Sequence, residues 1–296
     1  MHRNRLFGGV VLAALMLVGF TSVASAQAPL PVPNAFLAGV PQELGNPGGS
    51  APGSNDFSCK PTAEHPNPVV LVHGTGGNRQ TNWATYAPLL ANEGYCVFAL
   101  TYGNFPEQPW PLSAIGGMQE IPSSAAQLSN FVDQVLDATG ATSVDLIGHS
   151  QGTIINGYYA KFLGGSEVVD SFVAIGAPQY GSPGGCVQGP ADGYDTCMFS
   201  EVLTKLNAGE DTPGSAYYSV VQSSGEWADG RLDGGQCRVY VDGVPGAGTG
   251  GDHLTELEHP EVISGAISAL GRDCVGTFVD ENDGDITWPD TLFPSF

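Results

Sequence analysis

The sequence is short of positive charge. Nine Lys and Arg stand against 30 Asp and Glu over 296 residues, for a net charge of −21. Two of those basic residues, Arg3 and Arg5, lie in a leader that carries no acidic residue, so its removal deepens the balance to −23. Such a balance argues against nucleic acid and against anionic membrane surfaces as partners. Beyond the leader the sequence also lacks a long apolar run, none approaching the ~18 residues of a membrane span. It lacks C-x-x-C and Cys/His spacings of the zinc type, so no metal is expected on the cysteines. It has no internal repeat.

The leader itself is residues 1–26. A basic start, the apolar run Val10 to Phe20 and the A-x-A site Ala24-Ser25-Ala26 read as a secretory signal cleaved before Gln27. The expected protein is therefore secreted, with 270 residues in its mature part. All six cysteines lie there, and an even count in an exported chain reads as disulfides. Six cysteines allow fifteen pairings; the expectation is consecutive pairing, Cys59–Cys96, Cys186–Cys197 and Cys237–Cys274.

Residues 27–57 are rich in Pro, Gly and Ser and read as an extended arm on the surface, or partly disordered. The catalytic-size domain, 58–296, begins in earnest at Pro68-Val-Val-Leu-Val72, an apolar run that suits a strand buried on both faces. Helical spacing follows over Asn82 to Asn92, a strand over Tyr95 to Thr101, and an amphipathic helix over Ser123 to Thr139 with Ser123 or Ser124 as its cap. Further strands are expected at Val144 to Ile147, Val168 to Gly176, Tyr217 to Gln222 and Arg238 to Val241, and a last helix from near Pro260. This alternation predicts an α/β fold, an open and mainly parallel sheet with helices on both faces. Residues 181–214 interrupt it, as a cap or lid insertion above the strand ends would.

The chemistry gathers on Gly148-His149-Ser150-Gln151-Gly152, which joins a buried strand to a helix. A serine at so sharp a turn is held in strained backbone, and the glycines two before and two after let strand and helix approach. A serine hydroxyl needs a base, and the base needs an orienting carboxylate. In this arrangement the acid and then the histidine follow the serine. His253, in the loop Gly250-Gly-Asp-His-Leu254, is the expected base; His259 abuts a helix start. The expected acid is Glu226, just past the strand Tyr217 to Gln222, with Asp229 as the alternative and Asp233 and Asp242 behind them. Oxyanion donors are expected on the backbone N–H groups of Thr75 and Gln151. His73 and His149 read as structural support. Trp83, Tyr102, Phe105 and Trp110, on or near strand-end loops, are candidates for the substrate pocket. Asp280-Glu-Asn-Asp-Gly-Asp285 lacks the glycine and distal glutamate of an EF-hand loop and reads as a solvated turn, not a metal site.

These residues carry a resemblance. Asn55-Asp-Phe-Ser-Cys-Lys60, Pro68 to Gly74, Asn92-Glu-Gly-Tyr-Cys-Val-Phe98, Val144 to Gly152, Tyr158-Tyr-Ala-Lys-Phe-Leu-Gly-Gly165, Phe199 to Gly209 and Asp252-His-Leu254 together resemble the secreted class 2 lipases of actinobacteria, within the α/β-hydrolase superfamily. The resemblance spans roughly residues 53–271. It implies the α/β-hydrolase fold and a monomeric serine esterase or lipase without cofactor, acting on small-molecule ester or lipid substrates. It also implies Ser150, His253, Thr75 and Gln151 in the roles given above. One departure stands out: where the family shows Tyr-Asp-Glu after the acid strand, this chain has Gly225-Glu226-Trp227. An acyltransferase using the same machinery, and a binding protein on the same scaffold, are the rival expectations.

Overall fold

The computed structural model describes residues 28–182, 184–186 and 195–281. Seven strands form one sheet in the order β2-β1-β3-β4-β5-β6-β7. They are β1 (Val69–Val72), β2 (Val97–Leu100), β3 (Val144–His149), β4 (Val169–Ile175), β5 (Tyr217–Ser223), β6 (Gly234–Val241) and β7 (Thr277–Glu281). All pairs are parallel except β6–β7, which is antiparallel. Among the described residues seven α-helices accompany them: α1 (Gly39–Gly45), α2 (Tyr86–Asn92), α3 (Ile121–Thr139), α4 (Gln151–Phe162), α5 (Glu201–Leu206), α6 (Asp252–Thr255) and α7 (Pro260–Leu270).

Alternate residues of each strand serve two cores, as a pleat of period two requires. Val70, Val72, Phe98, Leu146 and Phe172 point to the face covered by α3 and α4, where Leu128, Val132, Ile154 and Ile155 are buried. Val69, Leu71, Val97, Ile147 and Val173 point to the opposite face, against Tyr86, Leu90, Val262 and Ala266 of α2 and α7. Burial on both faces explains the unbroken apolar runs of β1 and β2. From β1 the chain first builds outward to β2, then returns to place β3 on the other side. The crevice at the carboxyl ends of β1 and β3 is thus the switch point where open parallel sheets bind ligands.

Several expectations meet corrections. Helix α3 starts at Ile121, and Ser124 sits inside its first turn with its N–H bonded to Glu120 O at 3.0 Å, so neither serine caps it. Its second residue is Pro122, which needs no helical N–H partner there and starts the helix instead. Residues 82–85 form a turn, and α2 begins at Tyr86. Helix α1 lies within the arm that reads as extended from composition. Strand β7 completes the sheet beyond the last strand legible in the sequence.

The disulfides are Cys59–Cys96, Cys186–Cys197 and Cys237–Cys274. The first ties the segment before β1 to the start of β2, and the last ties β6 to the turn after α7. The leader, residues 187–194 of the 181–214 insertion and residues 282–285 of the acidic turn lie outside the described residues. Within the described residues no helix is long and apolar enough to cross a membrane.

Candidate active site

Ser150 caps α4 with φ of 54° and ψ of −128°, a backbone conformation that costs a non-glycine residue free energy. The flanking glycines are needed for it. A methyl on Gly152 would lie 2.1 Å from Val72 O, and one on Gly148 would lie 2.7 Å from Asn156 Nδ2. The Ser150 N–H donates to Ile175 O at 3.0 Å, which fixes the turn to β4.

Three chain segments far apart in sequence meet at this serine. His253 stands in the short helix α6, behind a loop with positive φ at Gly243, Gly246, Gly248 and Gly250. Its Nε2 lies 2.9 Å from Ser150 Oγ, and its Nδ1 lies 3.0 Å from Glu226 Oε2. Glu226 follows β5 by three residues and its side chain is fully buried. Its other oxygen accepts the Ala228 N–H at 3.1 Å. A carboxylate held this way accepts a hydrogen bond from Nδ1–H of His253 and leaves Nε2 as the acceptor for the serine hydroxyl.

Asp229, the alternative acid, is engaged elsewhere: both of its oxygens bind the Arg231 guanidinium, at 3.0 and 2.8 Å. Asp242 accepts from the Ser224 hydroxyl. The reach to histidine therefore belongs to the glutamate.

Two further histidines are buried and kept neutral. Burial lowers His73 to about 4. Its Nδ1–H donates to Gly74 O at 2.8 Å and its Nε2 accepts the Tyr102 N–H at 3.3 Å. Burial, and then the charge of nearby His253, lower His149 to about 3. His149 Nε2 donates to His253 O at 2.9 Å, so it holds the backbone of the base.

The loop after β1 abuts the serine. A methyl on Gly74 would come within 2.9 Å of Ser150 Cβ, and Thr75 lines the same cavity as Ser150 and Gln151. Gln151 is the first residue of α4, where backbone N–H groups have no helical acceptor and favour negative charge. Its side chain braces the loops: Oε1 lies 3.0 Å from the Tyr102 hydroxyl and Nε2 donates to Gly117 O at 3.3 Å.

The cavity over these groups holds about 440 Å³. None of the four aromatics expected in the pocket lines it. Trp83, in the turn before α2, is fully buried edge-on against Tyr86. Tyr102 is fully buried and stacked on His73 with ring centroids 4.3 Å apart. Phe105 and Trp110 are exposed on the 101–117 loop, and Trp110 Nε1 donates to Glu43 at 3.2 Å. The apolar lining comes instead from Leu37, Val40, Trp227 and Leu254. Trp227 places its ring 5.3 Å from that of His253. Adjacency to the expected acid and base was the sequence signal for Trp227 and Leu254; nothing in the sequence signalled Leu37 or Val40.

Glu256 is another residue that sequence reasoning missed. It is fully buried one turn after His253, accepts the Ser223 N–H on Oε2 at 3.0 Å, and has no partner on Oε1. Burial, and then the neighbouring Glu226 carboxylate, push its carboxyl well above the usual range. It stands behind His253 as a carboxyl on which burial favours the protonated form. Ligand-type atoms of His149, His253 and Glu256 lie within 4.8 Å of one another. Both ring nitrogens of His253 are already engaged, by Ser150 and Glu226, which leaves no lone pair for a cation.

With the geometry in place, the comparisons with known proteins decide the family. The profile of the class 2 lipases matches residues 66–247, more than half of the chain. The chain belongs to the class 2 lipase family. Triacylglycerol lipases of Pseudarthrobacter phenanthrenivorans and Burkholderia plantarii are each 37% identical to it over 120 residues, or 39% of this chain. That stretch spans 34% and 30% of those two proteins, about a third of the length of the relatives it matches. Lipase B of Aspergillus fumigatus shares the fold, with a TM-score of 0.58 at 17% identity, over 77% of this chain and 57% of that one. This member of the family has the α/β-hydrolase fold and carries Ser150 at the carboxyl end of β3 in a mainly parallel sheet.

Proposed function

We propose that this protein is an exported serine hydrolase that cleaves carboxylic esters of neutral lipids or related compounds through an acyl-serine intermediate. The observation that carries the reading is the continuous line from Ser150 Oγ through the His253 ring to Glu226, with separations of 2.9 and 3.0 Å. His253 Nε2 takes the hydroxyl proton as Ser150 Oγ attacks the ester carbonyl. The N–H groups of Thr75 and Gln151 receive the oxyanion. His253 then gives its proton to the leaving alcohol, and next accepts one from the water that frees the acid product. Glu226, hydrogen-bonded to Nδ1, orients the ring and steadies the imidazolium.

The family and the relatives named above support this ester chemistry. The first 26 residues and the three disulfides support export. The test is hydrolysis of p-nitrophenyl esters from C2 to C16 by the mature protein beside Ser150→Ala, with products analysed in the presence and absence of an alcohol acceptor. Activity lost in the variant, with free acid as product, is expected. Equal rates for both proteins would sink the serine mechanism, and ester products formed with the acceptor would assign a transferase.

A further inference from the structure

Residues 28–49 lie outside the stretch matched by the class 2 lipase family, yet they reach the cavity over Ser150. Leu37 and Val40 are exposed apolar side chains, 65% and 40% open, and both line that cavity. A loose arm would not hold them there. This one is clamped along its length. Asn92 makes two hydrogen bonds to the backbone of Leu30, at 2.7 and 2.9 Å. The Thr85 hydroxyl donates to Pro33 O at 2.9 Å.

Helix α1 is bound more tightly still. The Glu43 carboxylate is buried and accepts from Gln80 Nε2 at 2.8 Å, Gly48 N–H at 2.8 Å and Trp110 Nε1. Arg79 Nε donates to Gly49 O at 3.0 Å. At Gly39 the helix touches the loop after β1 backbone to backbone: a methyl there would lie 2.5 Å from Thr81 Cα and 2.6 Å from Gln80 O. That loop also supplies Thr75, Thr81 and Asn82 to the cavity. The arm is thus registered to the loop beside the reacting serine.

We propose that the N-terminal arm forms a fixed wall of the substrate cavity, and that Leu37 and Val40 set the selectivity for acyl chain length by touching the part of the ester remote from the carbonyl. The inference rests on Ser150 being the nucleophile of an ester hydrolase. The arm's side chains contribute apolar area to long chains and none to acetate. They touch neither Ser150, His253 nor Glu226 by hydrogen bond, so the chemistry itself is left alone.

The test uses the mature protein and the pair Leu37→Ala/Val40→Ala, whose exposed positions leave the fold and its melting temperature unchanged. The ratio of kcat/KM for p-nitrophenyl laurate to that for the butyrate should fall about ten-fold, the size expected when an apolar pocket is stripped of a few methyl groups. The acetate rate should stay within about two-fold. Gly39→Ala, which lifts α1 from the Gln80–Thr81 backbone with Leu37 and Val40 intact, should lower the same ratio. Inactivation by short- and long-chain p-nitrophenyl alkylphosphonates gives the same comparison without turnover. An unchanged ratio, or an equal loss at every chain length in a folded variant, would overturn the proposal. Failure of the underlying reading shows elsewhere, as activity or phosphonate labelling that survives Ser150→Ala.

Discussion

Two glycines of α4, five residues apart, should respond to the same substitution with opposite signs. At Gly152 an added methyl would lie 2.1 Å from Val72 O and 2.7 Å from His73 O. Ordinary carbon–oxygen separation is about 3.3 Å or more, so α4 must withdraw from β1 by over an ångström. Both obstacles are backbone of a buried strand end, so no side chain can swing aside. Overpacking of this kind costs about 3 kcal/mol, or roughly a 6–12 °C fall in Tm for a domain of this size. At Gly157 the nearest atoms to the new methyl are Leu206 Cδ1 and Cδ2 at 3.7 and 3.9 Å. Alanine there meets ordinary van der Waals neighbours and gains about 0.5–1 kcal/mol of helix propensity, a rise of a few degrees. Thermal unfolding of Gly152→Ala and Gly157→Ala, followed by circular dichroism at one scan rate with disulfides intact, reads both signs. Gly152→Ala should also move Ser150 off line with His253 and lose on the order of 100-fold in kcat, while Gly157→Ala keeps it. Equal stability of Gly152→Ala and wild type, or a fall in both, would refute this account of the turn.

Glu226→Gln should lower kcat/KM by at least ~100-fold, since the amide no longer fixes the His253 tautomer. Asp229→Asn, whose carboxylate serves Arg231, should stay within about two-fold on the same ester. Glu256→Gln replaces a carboxyl that burial and then Glu226 push toward the protonated form, so the acidic limb of the pH profile of kcat/KM should stay in place; movement of that limb to lower pH would show that Glu256 is ionised. Asp145 is raised to about 7, first by burial and then by Asp170. Its folded state binds a proton that the unfolded chain has already released, so stability should decline as pH rises from about 4 to 7. Asp145→Asn should flatten that slope in Tm measured across the same pH range, while still accepting from the Ser171 N–H.

The sequence by itself determined the parallel strands of the sheet and the turn that carries Ser150. Unbroken apolar runs between turn signals suit strands buried on both faces, and Gly148 and Gly152 around Ser150 suit a tight strand-to-helix turn. Chain order and a glycine-rich loop were enough to select His253 over His259. The choice among acids needed the tertiary structure, because Glu226 and Asp229 stand three residues apart and differ only in what folds against them. Arg231 captures one and the His253 ring meets the other. The cavity wall was less legible still. Trp83 and Tyr102 read as pocket residues because they are aromatic and near strand ends, but the turn before α2 buries one against Tyr86 and the stack on His73 holds the other inward. Leu37 and Val40 lie in a stretch whose composition speaks for loose chain. What places them over Ser150 is the Glu43 carboxylate buried against Gln80, together with Asn92 and Thr85 holding the arm. Those are hydrogen bonds between residues 37 to 62 apart in sequence, and no local pattern records them.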